Sequence, residues 1–472
     1  MKPRLNEDAI GQLTMRFHGP LILPGDLAYD DARMVRNGLI DRYPALIARC
    51  HGTADVVAAV NFARQQNLLL SVRGGGHNVA GNAVNDGGMV IDLSEMRAVV
   101  VDPERKTAFA QGGATWADFD RETTLFDLVA TGGAVSSTGI GGLTLHGGLG
   151  ALHRKLGLAM DQLRAVEIVT ADGQVRRASE DEHEDLFWAV RGAGSNFGVV
   201  TGFEFALHSL PHPLYSALPI FSLKDAGPVL RAYRDFAESA SDDFAPAALF
   251  WSIPAVEDFP PELHGQPILG IQVVYTGDPA EGEELLKPVL EWGTPLLDLS
   301  GAAPYLESQQ AFDPFFPAGW LYYWKSMLLR TASDAALDAL VTIAADRPTP
   351  QSLLNFWALG GAIARVPPDA TAFVHRDAAH MLSLDTTWTD PADTDRCIDW
   401  TRRTWSTLQA QFGIGAAYLN FVGFGEEKET LLRASFGDNY ERLVELKTKY
   451  DPGNLFHMNA NIPPRPLAAA AD

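Results

Sequence analysis

The chain has 472 residues, 46% hydrophobic and 20% charged, with 43 Gly and 29 Pro. That is a globular composition, too long for one hydrophobic core, so two domains are expected. A net charge of −22 speaks against nucleic acid or an anionic membrane as partner, because phosphate binding needs a basic surface. Cys50 and Cys397 lie outside any CxxC or Cys/His spacing, which argues against a disulfide framework and a metal site.

The first ten residues carry no apolar signal-peptide core, and no apolar run reaches the ~20 residues needed to span a bilayer, so a cytoplasmic protein is expected. Residues 1–39 read as a lead-in of helix and turn. A strand at 46–50 is followed by Thr53 as N-cap and a helical face of Val56, Val57, Val60 and Phe62. The strand at 68–72 runs into Arg73-Gly74-Gly75-Gly76-His77-Asn78. Short strands are expected at 89–93, 98–101 and 107–111, then a helix containing Phe119. A second glycine-dense stretch covers 132–150. The strand at 163–170 turns at Ala171-Asp172-Gly173-Gln174 into 175–178. A helix at 186–190 precedes Arg191-Gly192-Ala193-Gly194-Ser195-Asn196-Phe197-Gly198 and a strand at 199–207.

Near Pro211 glycine thins out. Helices are expected at 223–238, 279–292 and 334–347, and strands at 249–253, 268–275, 352–359 and 381–388. A final helix spans 439–450, before the turn Asp451-Pro452-Gly453-Asn454. The spacing places a first domain at 40–207, a second at 208–429 and a returning segment at 430–472.

Three consecutive glycines after a strand permit positive φ and close backbone approach to a ligand, and their N–H groups form an anion nest. Alone, the triplet is equally a tight turn with a surface histidine. Its neighbours narrow the choice. Gly81-Asn82 follows, then Thr138-Gly139-Ile140-Gly141-Gly142, His146-Gly147-Gly148-Leu149-Gly150, and Asn196-Phe197-Gly198-Val199-Val200. Tyr450-Asp451-Pro452-Gly453-Asn454-Leu455-Phe456 comes late, before Asn459 and Asn461. This ordered series resembles the berberine-bridge-enzyme-like branch of the vanillyl-alcohol-oxidase flavoprotein family. The resemblance is specific over 44–207 and 439–463 and loose between.

The resemblance implies an α+β, two-domain FAD-binding fold with an antiparallel-sheet substrate domain. It also implies an FAD-dependent oxidoreductase. Hydride would pass from a C–OH or C–N centre of a small organic molecule to flavin N5, with O2 as acceptor giving hydrogen peroxide. His77 matches the histidine that bonds to the flavin 8α carbon. Arg73, Gly74, Gly75, Gly76, Asn78 and Gly81 would hold the cofactor beside it. Many relatives carry a second, cysteinyl link four positions before the first glycine of the Gly-x-Gly-Gly motif. Here that position is Val135, so a single covalent bond is expected. Ser136, Thr138, Gly139, Ile140, Gly142, His146, Gly147, Gly148 and Gly150 form the second flavin-side stretch. Gly198, Val199, Val200, Asn420, Asn459 and Asn461 complete the binding set.

Tyr418-Leu419-Asn420-Phe421 resembles the family's Tyr-x-Asn-Tyr segment, so Tyr418 touches the cofactor and is the candidate base. A tyrosine of pKa ~10 needs a stabilising partner for that work. Lys325 is a candidate, although its plain reading is a solvated lysine on a strand. His375 and Arg376 are candidates for the pocket wall, and so is the aromatic group Trp320, Tyr322, Tyr323 and Trp324; core packing explains each as well. The stretch 360–365 offers no carboxylate, which argues against the cyclisation chemistry of the plant alkaloid enzymes. An NAD-dependent Rossmann enzyme fits poorly, because Gly192-Ala193-Gly194 follows a helix and precedes a strand, the reverse of that motif's setting. A dehydrogenase with another acceptor, or a catalytically silent flavoprotein, remains the alternative.

Overall fold

A computed structural model describes residues 6–426 and 428–466. Leu46–Arg49 and Leu70–Arg73 both pair in parallel with Met89–Asp92, which lies between them, and helix Thr53–Gln65 makes the crossover. Leu46, Ile47 and Ala48 are fully buried, as a parallel strand covered on both faces requires. The lead-in does more than the sequence suggested. Leu21–Ile22 adds an antiparallel fourth strand beside Leu46–Arg49.

A second, antiparallel sheet has the order Val99–Asp102, Thr107–Gln111, Gly198–Ala206, Leu163–Thr170, Val175–Ser179. Trp116, Phe119 and Phe205 meet edge to face beneath it, with centroids 5.2 to 5.9 Å apart. The helix Glu184–Ala193 breaks at Gly192, whose φ is +130°. A Cβ there would lie 2.7 Å from the Phe373 nitrogen, so the break lets the two backbones touch.

The third sheet has nine strands, all antiparallel. Its main path runs Pro295–Asp298, Pro219–Ser222, Pro267–Tyr275, Phe244–Ser252, Leu353–Ala358, His380–Trp388, Leu321–Leu329. Strand alternation divides its side chains. Phe250, Leu269, Phe356 and Leu384 face the helices Ala226–Ser239, Asp334–Ala345 and Thr394–Phe412, packing on Tyr233, Leu337 and Trp400. Leu249, Leu353, Trp324 and Trp357 face the other way, over the glycine-rich loops. The α+β class expected from the sequence is found.

The helix Tyr440–Tyr450 ends in a buried ion pair. Lys447 Nζ lies 2.6 Å from Asp451 Oδ2 and also donates to the carbonyls of Asn196 and Phe456. Asp451 in turn accepts from the N–H groups of Leu455 and Phe456. With both charges hydrogen-bonded, the pair offsets its own desolvation and ties this segment to the loop before strand Gly198–Ala206.

Candidate active site

A cavity of about 310 Å³ lies between the glycine loops and the inner face of the nine-stranded sheet. Its floor is made by two loops in backbone contact. A Cβ on Gly75 would sit 2.3 Å from the Gly139 nitrogen, and one on Gly139 would sit 2.4 Å from the Gly75 nitrogen. Only glycine permits that approach. Gly142 opens on free space, with nothing within 4 Å of where its Cβ would lie.

His77 stands at the end of the first loop. Its Nε2 is 3.2 Å from Arg36 Nη1 and 3.0 Å from Ser137 Oγ, and its Nδ1 is 3.3 Å from Thr138 Oγ1. A guanidinium only donates, so Nε2 accepts and the imidazole is neutral. Burial, then the Arg36 charge, pushes its pKa down to about 3. His146 is also neutral. Burial lowers its pKa to about 4, and its Nε2 is 3.0 Å from Ser195 Oγ, which donates to the Asn459 carbonyl.

Tyr418 is buried, and its hydroxyl oxygen accepts three hydrogen bonds: from Gly148 N at 2.8 Å, Leu149 N at 3.1 Å and Asn420 Nδ2 at 2.9 Å. A phenol oxygen carrying its own proton has two lone pairs, so three donors suit the phenolate. Burial acts in the opposite direction and is the larger influence, so the pKa stays above its usual value while the donors pull it back.

Lys325 does not serve as the partner of Tyr418. Parity on its strand puts Trp324 on the cavity side and Lys325 on the helix side, where Nζ bonds Glu426 at 2.6 Å and lies 3.8 Å from the Trp405 ring centroid. His375 and Arg376 also turn away, to the Ala434 carbonyl and to Asp161. Of the aromatic group only Trp324 lines the cavity; Tyr323 faces the helix side and bonds Glu426.

The loops bring Gly74, Gly75, Gly76, His77, Asn78, Val135, Thr138, Gly139, Gly142, His146, Gly198, Val200, Tyr418, Asn420 and Asn459 to one cavity. Others stand behind it. Arg73 clasps Asp92 and the Ala32 and Met34 carbonyls. Gly81 packs on Ile40, Ser136 bonds Asp313, and Ile140 and Val199 are buried in the core. Gly147 and Gly148 enclose Tyr418 and Ala159, while Gly150 passes the Gly132 carbonyl. Asn461 keeps a buried Oδ1 without a protein partner.

Sequence reasoning missed Arg36 and the polar groups of the roof. Asp385 is 5% exposed, and burial raises its pKa to about 7. The available signal was a carboxylate on the strand His380–Trp388, in which every residue is buried.

The family model described as "FAD binding domain" matches residues 44–179, and "Berberine and berberine like" matches 417–463. The uncharacterized FAD-linked oxidoreductase YgaK of Bacillus subtilis is 30% identical over 459 residues, covering 94% of this chain and 97% of that protein. The chain belongs to the berberine-like FAD-linked oxidoreductases. Another similar protein of this family is (R)-6-hydroxynicotine oxidase of Paenarthrobacter nicotinovorans, 29% identical over 95% of this chain and 98% of its own. The crystal structure of 6-hydroxy-D-nicotine oxidase from Arthrobacter nicotinovorans superposes with a TM-score of 0.84 at 29% identity, over 94% and 98% of the two chains.

The protein is therefore an FAD-linked oxidoreductase, and its cavity fits that cofactor. The side-chain-free approach at Gly142, the backbone-lined floor at 74–76 and the polar groups of Asn78 and Asn459 suit a long, phosphate-bearing ligand. Among the described residues no metal-holding cluster occurs, and no helix is long and apolar enough to cross a membrane.

Proposed function

We propose that this oxidoreductase holds FAD through one covalent bond from His77 to the flavin 8α carbon and oxidises a C–OH or C–N centre of a small organic molecule. O2 is the final acceptor and hydrogen peroxide the product. The observation that carries this reading is the neutral His77 imidazole on the cavity wall, held by Arg36 and Ser137. Val135 lines the same cavity and has no thiol, which leaves a single link.

Bound FAD supplies a two-electron acceptor. The chain's own residues do the rest. Trp324, Phe421 and Phe316 form an edge-to-face series, with centroids 5.4 and 6.0 Å apart, that excludes water from the reacting centre. Tyr418, next to Phe421, holds its oxygen in a three-donor cradle that counters the effect of burial, and it accepts the hydroxyl or amine proton in the phenolate form that grows as pH rises. The name of the similar (R)-6-hydroxynicotine oxidase supports oxygen as acceptor.

The test is intact mass and visible absorbance after acid precipitation, beside His77→Ala. One FAD mass retained by the wild type and lost by the variant establishes the bond. An unmodified mass and a colourless pellet overturn it. Peroxide release with candidate alcohols and amines then tests the reaction.

A further inference from the structure

Four buried polar atoms among the cavity-lining residues have no protein partner: Asp385 Oδ1, Asn355 Oδ1, Trp324 Nε1 and Trp357 Nε1. All four belong to three adjacent strands of the roof. Asp385 stands directly opposite Trp324 on one side and Leu353 on the other, and Asn355 and Trp357 follow two and four residues beyond Leu353. Buried polar groups in folded proteins are normally paired, so a cluster of four on one wall marks the place where a ligand completes the bonding.

The cluster is not neutral in character. Asp385 Oδ2 accepts from Ser383 Oγ at 3.1 Å, and no cation among the described residues pairs with the carboxylate. A buried carboxylate without a counter-charge strongly favours a ligand that brings one. Beside it stands the indole ring of Trp324, on which the rings of Phe316 and Phe421 pack, with Trp357 farther along the same wall, and the faces of such rings attract cations. The net charge of −22 draws cations and repels anions at long range.

We infer that this roof is a docking site for an organic ammonium ion, with Asp385 as its counter-charge and the surrounding rings as its cage, so that the substrate of the oxidation proposed above is a basic amine. The inference rests on that reading and narrows it from C–OH or C–N to C–N. Asn355 Oδ1 takes a second N–H of the ligand, and the indole N–H groups meet an acceptor on its ring. Asp385 also removes the obstacle to amine oxidation. An N–H bond of the ammonium breaks, an O–H bond forms at Oδ1, and the nitrogen keeps the electron pair. A carboxyl raised by burial to about 7 is suited to accept that proton.

The other titratable or charged groups on the cavity are Arg36, His77, His146 and Tyr418. Burial holds both histidines well below neutrality and Tyr418 above its usual value. Lys325 and Glu426 face the opposite side of the sheet. Between pH 6 and 8 the roof's charge is therefore set by Asp385.

The experiment uses flavin-loaded protein and two inert probes of matched shape, phenyltrimethylammonium and tert-butylbenzene, followed by flavin absorbance. At pH 8 the cation should bind at least ten-fold more tightly. That preference should shrink as pH falls through about 7 and vanish in Asp385→Asn, while Asp377→Asn, which removes an exposed carboxylate paired with Arg330 outside the cavity, should retain it. Equal binding of the two probes, or an undiminished preference in Asp385→Asn, overturns the inference. Turnover decides separately: peroxide from neutral alcohols alone sinks the amine assignment and leaves the oxidase reading standing. Asp385-dependent cation binding without any turnover leaves the site standing and sinks the oxidase reading.

Discussion

Asn420 Nδ2 lies 2.9 Å from the hydroxyl oxygen of Tyr418, two residues earlier in the chain, and completes a cradle begun by the N–H groups of Gly148 and Leu149. Tyr418→Phe keeps the ring and removes the oxygen. The expected result is a loss in kcat of about 10²–10⁴-fold with flavin content unchanged. Two buried N–H groups also lose their acceptor, at about 1–3 kcal/mol each, so the melting temperature should fall in the same variant. Asn420→Leu removes only one donor, and the rate limb belonging to Tyr418 should move to higher pH. A limb that stays in place argues that the base lies elsewhere.

The two floor glycines should respond differently. Gly139→Ala drives a methyl into the Gly75 backbone and should prevent the loops from meeting, with loss of folded protein. Gly142→Ala meets no protein atom within 4 Å, so the chain should fold normally and hold less flavin. Circular dichroism alongside the 450 nm absorbance separates these outcomes.

Removing one member of the Lys447–Asp451 pair leaves a fully buried charge alone. Lys447→Met or Asp451→Asn should each cost about 3–5 kcal/mol, measured by denaturant unfolding. A shift below 1 kcal/mol contradicts the buried geometry.

Asp120 is fully buried, with Gln309 Nε2 at 3.3 Å and an unpartnered Oδ1, and burial raises its pKa to about 8 from 3.8. A carboxyl raised in the folded state contributes stability that is fully present below pH 3.8 and is lost as pH rises through 8. Within that window the loss is up to about 1.4 kcal/mol per pH unit. Asp120→Asn should flatten the wild-type decline in melting temperature between pH 5 and 8. A parallel decline in both proteins refutes the assignment.

What was legible in the sequence was local. The strand before Gly74, the glycine loops and the turn at Asp172-Gly173 are each written in contiguous residues, so pattern and motif reach them. Lys325 is neither the partner of Tyr418 nor a solvated lysine: its side chain is buried against Glu426, and the first reading failed on parity. Once Trp324 faces the cavity, a pleated strand sends its neighbour to the other side. The roof was illegible for a different reason. Asp385, Asn355 and Trp324 come together only through the register of three strands, and nothing in their own neighbourhoods states that register. Arg36 was hidden because it sits in a segment without periodicity and is recruited by contacts to His77, Ser137 and Gly76, which lie 40 or more residues along the chain.

The two walls of the cavity are made at very different times. Asn82 and Asn459 hydrogen-bond at 3.2 Å across 377 residues of chain, and residues 456, 458 and 459 close the side that the glycine loop opens. A nascent polypeptide that has already produced His77 still lacks that closure and the whole roof. Capture of the flavin is thus an event of late biogenesis, and a ribosome stalled midway through the nine-stranded sheet would carry a colourless chain.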